Sequence, residues 1–144
     1  MILIVEDNPV DARIIENIIS HHYPKCDIIT KTSAEEALLL CGEEPPPDLI
    51  VTDLHLEGSS GYDLCLELKA KGSPCCNIPI MMVSADPNKA LAAARSLSFG
   101  AFAFEAKPIA RKSFVHTLEL GLAWGAAKKE RIEIHAMREV AYAR

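Results

Sequence analysis

The sequence has no apolar run near the length of about 20 residues that a membrane-spanning helix needs. Its first residues, MILIVEDN, turn acidic after five positions and carry no basic leader of the kind that begins a secretory signal peptide. We therefore expect neither a signal peptide nor a membrane-spanning helix, and no membrane partner.

Positive charge is also in short supply. The 144 residues include 15 Lys and Arg against 20 Asp and Glu, which gives a formal net charge of −5 at pH 7. An acidic chain is a poor ligand for nucleic acids and anionic membranes, and the run AKKER at 127–131 is too short to change this. We expect no direct binding to nucleic acid.

Cysteine pairs with metal-binding spacing are absent as well. The five cysteines are unevenly spaced, none belongs to a CxxC motif, and only Cys75 and Cys76 are adjacent. Zinc sites and a disulfide framework are therefore not expected, and a reducing compartment, the cytoplasm, suits such a chain.

The sequence does have a regular alternation of short apolar runs and helical segments, within the length and composition of one globular domain. The runs are MILIV (1–5), DIIT (27–30), DLIVT (48–52), IPIMMVS (78–84) and AFAFEA (101–106). The first, third and fourth are almost continuously apolar, which is typical of parallel strands covered on both faces. The second and fifth are weaker and predict the edges of a sheet.

Helix-start signals precede the segments between these runs. Asn8-Pro9 combines an N-cap with proline at the first helical position, and Ser33 with Glu36 forms a capping box. Further helix starts are predicted at Ser60 with Asp63, at Asp86-Pro87 and after Pro108. The pattern is (βα)5, and right-handed crossovers then favour an α/β, doubly wound parallel five-stranded sheet of flavodoxin-like order 2-1-3-4-5.

Acidic residues follow two strands that this order makes neighbours. Glu6 and Asp7 end the first strand, Asp53 ends the third, and the strand order reverses between these strands, where α/β sheets bind their ligands. Crowded carboxylates repel one another and favour a hard divalent cation such as Mg²⁺. Ser84 and Lys107 end the fourth and fifth strands, and together these groups suit a phosphoryl group.

The segments ILIVEDN, DLIVTDLHLEGSSGYDL, IPIMMVSAD and GAFAFEAKP resemble the marker blocks of response regulator receiver domains of two-component signalling, and of chemotaxis regulators among them. The resemblance covers residues 1–124. It implies that Asp53 accepts a phosphoryl group from a sensor histidine kinase or a histidine phosphotransfer protein. It also implies that Glu6, Asp7, Asp53 and the backbone carbonyl of His55 hold Mg²⁺ or another divalent cation.

The same resemblance implies a switch. Lys107 would pair with the phosphoryl oxygens, Ser84 would be the hydroxyl that turns towards them, and Phe104 would be the aromatic residue that rotates behind it. The Lys107–Pro108 bond is commonly cis in this family. The expected output is a changed surface on the fourth helix, fifth strand and fifth helix, used by a homodimer or a downstream effector. Such a domain is not an enzyme with a separate substrate, because it catalyses only its own phosphorylation and dephosphorylation.

Three positions around the predicted phosphoacceptor depart from or vary within this pattern. Glu57 stands where many family members have proline, and it adds a negative charge next to the site. His55 and Asp86 lie two residues after Asp53 and Ser84, at positions that tune dephosphorylation in the family.

Residues 125–144 lie beyond the resemblance and predict a helical extension, either the end of a stand-alone receiver or the start of a linker in a longer regulator.

Three other functions remain to be weighed. A haloacid-dehalogenase-type phosphatase needs a second acid two residues after its nucleophile, and His55 occupies that position. A flavodoxin-like mononucleotide binder needs a phosphate loop after the first strand, and EDNPVD is acidic instead. A phosphate-independent pseudo-receiver is the main alternative, although the five marker residues argue against it.

Overall fold

A five-stranded parallel sheet forms the centre of the protein in a computed structural model that describes residues 1–43 and 45–143. The strands are β1 (Ile2–Val5), β2 (Ile28–Lys31), β3 (Leu49–Asp53), β4 (Ile80–Ser84) and β5 (Ala103–Ala106). Their order is β2-β1-β3-β4-β5 and every neighbouring pair is parallel. The predicted flavodoxin-like order is therefore confirmed, with the two weaker strands at the edges.

Five helices connect and follow these strands within the described residues. They are α1 (Pro9–His22), α2 (Ala34–Cys41), α3 (Gly61–Lys69), α4 (Lys89–Ser98) and α5 (Arg111–Tyr142). Three predicted N-caps are confirmed, because each side chain accepts a hydrogen bond from a backbone N–H of the first helical turn. These caps are Asn8, Ser33 and Ser60.

The predicted start of α4 at Asp86-Pro87 is wrong. Asn88 caps this helix instead, and its Oδ1 accepts a hydrogen bond from the N–H of Leu91 at 3.2 Å. Asp86 Oδ1 accepts from the N–H of Asn88 at 2.9 Å, so Asp86 closes an Asx turn before the helix begins. The same residue types favour caps and turns, and the sequence alone did not separate the two uses.

The sheet is covered on both faces, as its continuous apolar strands predicted. Successive strand residues point to opposite sides, and α1 and α5 pack over one face while α2, α3 and α4 pack over the other. On the first face Phe114 and Leu118 of α5 are fully buried. Burial of such side chains contributes about 1.5–3 kcal/mol each, and this core holds the strand ends in fixed positions.

Helix α5 starts against the sheet and continues well past it. It packs tightly against β3 at Gly121, where a Cβ atom would lie 2.8 Å from Cδ1 of Leu49. Beyond Gly125 the helix continues to Tyr142 with mostly exposed side chains. The division into a receiver at 1–124 and an extension at 125–144 stays a prediction, and Arg144 lies outside the described residues. No helix in the described part of the chain has both the length and the apolar character of a membrane crossing.

Candidate functional site

The sheet register brings the predicted site residues to one edge. Val5 pairs with Thr52, so Glu6 and Asp7 leave β1 beside Asp53 at the end of β3. The same register continues across the sheet. Asp53 pairs with Val83, and Ser84 pairs with Ala106, the residue before Lys107. The space lined by Glu6, Asp7, Asp53, Ser84 and Lys107 is called the acidic crevice below.

Three carboxylates meet in the acidic crevice. Glu6, Asp7 and Asp53 each offer an oxygen, and these oxygens all lie within 4.8 Å of one another. Glu6 is 1% exposed and Asp53 is 7% exposed, whereas Asp7 is half-buried. Oε2 of Glu6 is buried and has no hydrogen-bond partner. A buried carboxylate oxygen without a donor costs free energy, and a cation placed among these oxygens would remove that cost.

Lys107 supplies the positive charge of the crevice. Its Nζ lies 2.6 Å from Oδ2 of Asp53, 3.1 Å from Oε1 of Glu6 and 2.8 Å from Oδ2 of Asp11. Lys107 therefore contacts two of the crevice carboxylates, Glu6 and Asp53, and also Asp11. The ammonium is mostly buried, with 12% of the side chain exposed.

Asp11 was missed by the sequence reading. It lies in the first turn of α1, where an acidic residue is ordinarily explained by the helix dipole alone. Asp7 lies before the N-cap Asn8 and outside α1, so the four-residue spacing between Asp7 and Asp11 is not a helical one and gave no signal of this contact.

The pKa values follow from this crowding. Burial, together with the neighbouring Asp53, raises the pKa of Glu6 to about 8. Burial also acts to raise the pKa of Asp53, but the neighbouring Glu6 and the hydrogen bonds from Lys107 and the N–H of His55 outweigh it and hold the pKa below its usual value. Burial acts to lower the pKa of Lys107, but hydrogen bonds to Asp11 and Asp53 raise it above its usual value. Burial and crowding thus favour the protonated form of Glu6, whereas the contacts of Asp53 favour its ionised form.

Several contacts fix the direction of the Asp53 carboxylate. Its Oδ1 accepts a hydrogen bond from the N–H of His55 at 2.9 Å, and its Oδ2 accepts from Lys107. Gly61 packs against the backbone of Asp53: a Cβ there would overlap the Asp53 carbonyl oxygen and lie 2.8 Å from Sδ of Met82. A glycine at position 61 is thus required by close packing, a demand that the sequence reading also missed.

The loop after β3 folds back on itself and contacts the loop after β1. Two short antiparallel segments, His55–Leu56 and Ser59–Ser60, form a small hairpin. At its turn, the backbone N–H of Glu57 donates to Oδ2 of Asp7 at 3.0 Å. Proline has no N–H to donate, so this bond depends on the residue at 57 not being proline.

The loops after β3 and β4 also meet. Nε2 of His55 lies 3.6 Å from Oδ2 of Asp86, and the His55 side chain is 67% exposed. Ser84 is fully buried, and its Oγ accepts a hydrogen bond from the N–H of Asp86 at 3.0 Å. His55 and Asp86 thus link the loops that follow the ends of β3 and β4.

Phe104 lies on β5, three residues before Lys107. It pairs in register with Met82, is half-buried, and packs against the core on the α2, α3 and α4 side. The Lys107–Pro108 bond that follows β5 is cis, as expected.

The arrangement has a defined chemical capacity. A mostly buried, ionised carboxylate is fixed beside an ammonium, and two further carboxylates can hold a divalent cation next to it. Such a site can bring a phosphoryl group towards a carboxylate nucleophile and neutralise its oxygens.

Comparison with known proteins gives the family. The family model of the response regulator receiver domain matches residues 2–119. The chain belongs to this family. The family is thus identified independently of the geometry of the acidic crevice.

Solved structures show the same fold. A response regulator of Chloroflexus aurantiacus superimposes with a TM-score of 0.76 at 27% identity, covering 85% of this chain and 96% of that one. The receiver domain of NtrX from Brucella abortus superimposes with a TM-score of 0.73 at 28% identity, covering 85% and 98%.

Among curated proteins, the glycerol metabolism activator of Pseudomonas putida is 28% identical over 118 residues, which cover 82% of this chain and 52% of that protein. The two-component response regulator ORR11 of rice is 31% identical over 108 residues, which cover 75% and 71%. The chain spans about half the length of several curated relatives that it matches.

Proposed function

We propose that this receiver domain accepts a phosphoryl group on Asp53 in a Mg²⁺-dependent reaction. One observation carries the proposal. Asp53 is ionised and oriented, with Oδ2 at 2.6 Å from Lys107 Nζ and with the unpartnered oxygen of Glu6 in the same crevice. A carboxylate held in this way is a nucleophile with its neutralising charges already in place.

The donor would be the phosphohistidine of a sensor histidine kinase or of a histidine phosphotransfer protein. One Asp53 oxygen forms the new O–P bond as the P–N bond to the donor's imidazole breaks. The electron pair of the broken bond stays on the imidazole nitrogen, which then takes up a proton. Water later cleaves the acyl phosphate, giving back the Asp53 carboxylate and inorganic phosphate.

Glu6, Asp7, Asp53 and the backbone carbonyl of His55 are the groups that would hold the Mg²⁺ ion. The fit rests on the three clustered carboxylate oxygens and on the buried Glu6 oxygen that has no donor. When bound, Mg²⁺ would supply positive charge to the phosphoryl oxygens. Lys107 would donate to the same oxygens, and the N–H of His55 keeps the carboxylate turned into the crevice.

The switch would begin at Ser84, which is buried at the end of the neighbouring strand. Its hydroxyl would donate to the phosphoryl group, and Phe104 would follow into the space that the hydroxyl leaves. This changes the surface formed by α4, β5 and α5, through which the domain would contact a second copy or a downstream effector. The change is a population shift between two packings of one fold.

The partner proposal draws on the relatives as well. The sensor histidine kinase TmoS of Ectopseudomonas mendocina contains a segment that is 36% identical over 90 residues, which covers 62% of this chain and 9% of that kinase. Receiver sequence of this kind thus occurs within a kinase polypeptide. It supports a histidine kinase as the phosphodonor class for this domain.

A phosphodonor assay tests the proposal. The protein is incubated with acetyl phosphate and Mg²⁺, and intact mass is followed with time. One phosphoryl adduct is expected with the wild type, none with Asp53→Asn, and none when Mg²⁺ is chelated. The matched control is Asp63→Asn, which removes a carboxylate from the first turn of α3 and should keep the adduct. A wild type that forms no adduct and binds no Mg²⁺ would instead support the phosphate-independent pseudo-receiver.

A further inference from the structure

We infer that Asp11 is a positioning residue that holds Lys107 in the resting state and opposes phosphorylation of Asp53 until it lets the ammonium go. The inference rests on the proposed function of Asp53 and concerns a residue outside the set that binds the metal or accepts the phosphoryl group.

The first step is a count of donors. An ammonium group has three N–H bonds, and three carboxylate oxygens lie within 3.1 Å of Lys107 Nζ. Glu6, Asp11 and Asp53 supply one oxygen each. Lys107 therefore has no donor left for a phosphoryl oxygen, and one of these bonds must break before it can make a new one.

The three ion pairs of Lys107 differ in how readily they can break. Glu6 has 1% of its side chain exposed, and Asp53 has 9% and is itself the acceptor of the phosphoryl group. Asp11 has 33% of its side chain exposed on the first turn of α1. Asp11 alone among the three can exchange the ammonium for water, because its carboxylate already borders solvent.

The charge of the phosphoryl group also acts on Lys107. The phosphoryl group on Asp53 carries about −1.5 to −2 charges in place of the single charge of the free carboxylate, and Asp11 shares its cation with that residue. The Asp11 carboxylate therefore competes with the phosphoryl group for Lys107. Its removal should therefore favour the phosphorylated state, in contrast to the loss of any metal ligand.

The test compares Asp11→Asn with the wild type in acetyl phosphate and Mg²⁺, using the initial rate of adduct formation. A rise of about threefold to fivefold is expected, the size of one partly exposed ion pair. Glu16→Gln is the matched control: it removes one charge from the same helix, where Glu16 accepts from Thr30 Oγ1 at 2.6 Å. The control should leave the rate unchanged, because Glu16 has no bond to Lys107.

A double-mutant cycle separates an effect through Lys107 from a general effect of charge. In a Lys107→Met background, Asp11→Asn should leave the rate of adduct formation unchanged. An equal rise in both backgrounds would overturn the inference, and so would an unchanged or lower rate in the single variant. A wild type without any adduct would refute the proposed function itself, so the two failures are distinguishable.

A second readout needs no phosphodonor. In urea unfolding of the unphosphorylated protein, Asp11→Asn should lower the midpoint when Lys107 is present and leave it unchanged in the Lys107→Met background. Equal shifts in the two backgrounds would show that Asp11 stabilises the fold without acting through Lys107, and would contradict the inference.

Discussion

The acidic crevice and the last part of α5 use charge in different ways. In the crevice, Lys107 is 12% exposed and lies within 3.1 Å of three carboxylates. Near the end of α5, His135 and Glu139 lie 3.2 Å apart with 75% and 71% of their side chains exposed. An exposed pair contributes about 0–1 kcal/mol to stability, whereas removing one partner of a buried pair costs several.

This difference shows which side chains the fold holds in fixed positions. The sheet brings residues from β1, β3, β4 and β5 to one edge and buries their charges against each other. The last turns of α5 carry charges and apolar side chains that stay in water, such as Met137 and Val140. We therefore expect substitutions in the crevice to change chemistry and stability together, and changes in the last turns of α5 to change little within one copy of the chain.

Lys107→Met should have the largest effect. It removes the ammonium that contacts both Glu6 and Asp53. The rate of phosphorylation should fall about 100-fold, because a donor to the developing charge is lost. The free energy of unfolding without Mg²⁺ should fall by about 3 kcal/mol. Mass spectrometry and urea unfolding measure the two effects. His135→Ala, in the exposed pair, is the comparison variant. Equal losses of phosphorylation rate and unfolding free energy in both variants would contradict the difference between the crevice and the end of α5.

The raised pKa of Glu6 predicts how Mg²⁺ binding depends on pH. Because the pKa is about 8 without metal, Mg²⁺ must displace a proton at neutral pH. The apparent affinity should rise by up to about tenfold per pH unit below pH 8 and then level off. Calorimetry in buffers of different ionisation enthalpy should detect the released proton. A pH-independent affinity, or an unchanged slope in Glu6→Gln, would contradict this assignment.

The same shift has a consequence for stability. The folded protein without metal holds the Glu6 proton more tightly than the unfolded chain, whose pKa is near 4.5. The contribution of Glu6 to folding is therefore fully present below pH 4.5 and is lost as the pH rises towards 8. Urea unfolding with and without Mg²⁺ should show this loss only when the metal is absent.

The bond from the N–H of Glu57 to Asp7 gives a smaller effect. Glu57→Pro removes the donor, whereas Glu57→Ala removes the charge and keeps the N–H. Since one hydrogen bond to a charged group contributes about 1.5–3 kcal/mol, we expect Glu57→Pro to change Mg²⁺ affinity by about tenfold and Glu57→Ala by less. The same Mg²⁺ titration measures both. Equal effects would assign the role to the side-chain charge instead.

The smallest effect is expected from shortening α5 after Lys128. This keeps the contact of Lys128 Nζ with the Trp124 ring at 4.7 Å and the approach of Gly125 to Pro79. The removed part adds little to the core, so the free energy of unfolding, followed by thermal unfolding, should change by less than about 1 kcal/mol. A large loss of stability would show that the last turns of α5 are part of the folded unit and would weaken the contrast with the crevice.

Much of the fold and the site could be predicted from the sequence. Continuous apolar strands and capping residues determine the order of elements, and a parallel sheet places its strand ends at one edge, so Asp53 and Lys107 could be brought together without a structure. Asp11, Gly61 and the N–H of Glu57 could not be assigned in the same way. Their roles depend on side-chain approach and backbone direction across elements, which spacing along one segment does not encode.

The most direct test of the central claim is the location of the phosphoryl group. Borohydride reduces an aspartyl phosphate to homoserine, so the protein is phosphorylated with acetyl phosphate and Mg²⁺, reduced, digested and sequenced by mass spectrometry. Homoserine is expected at position 53, with Glu6, Asp7 and Asp11 unmodified. Homoserine at another aspartate, or a phosphoryl group on a histidine or serine with residue 53 unmodified, would contradict it.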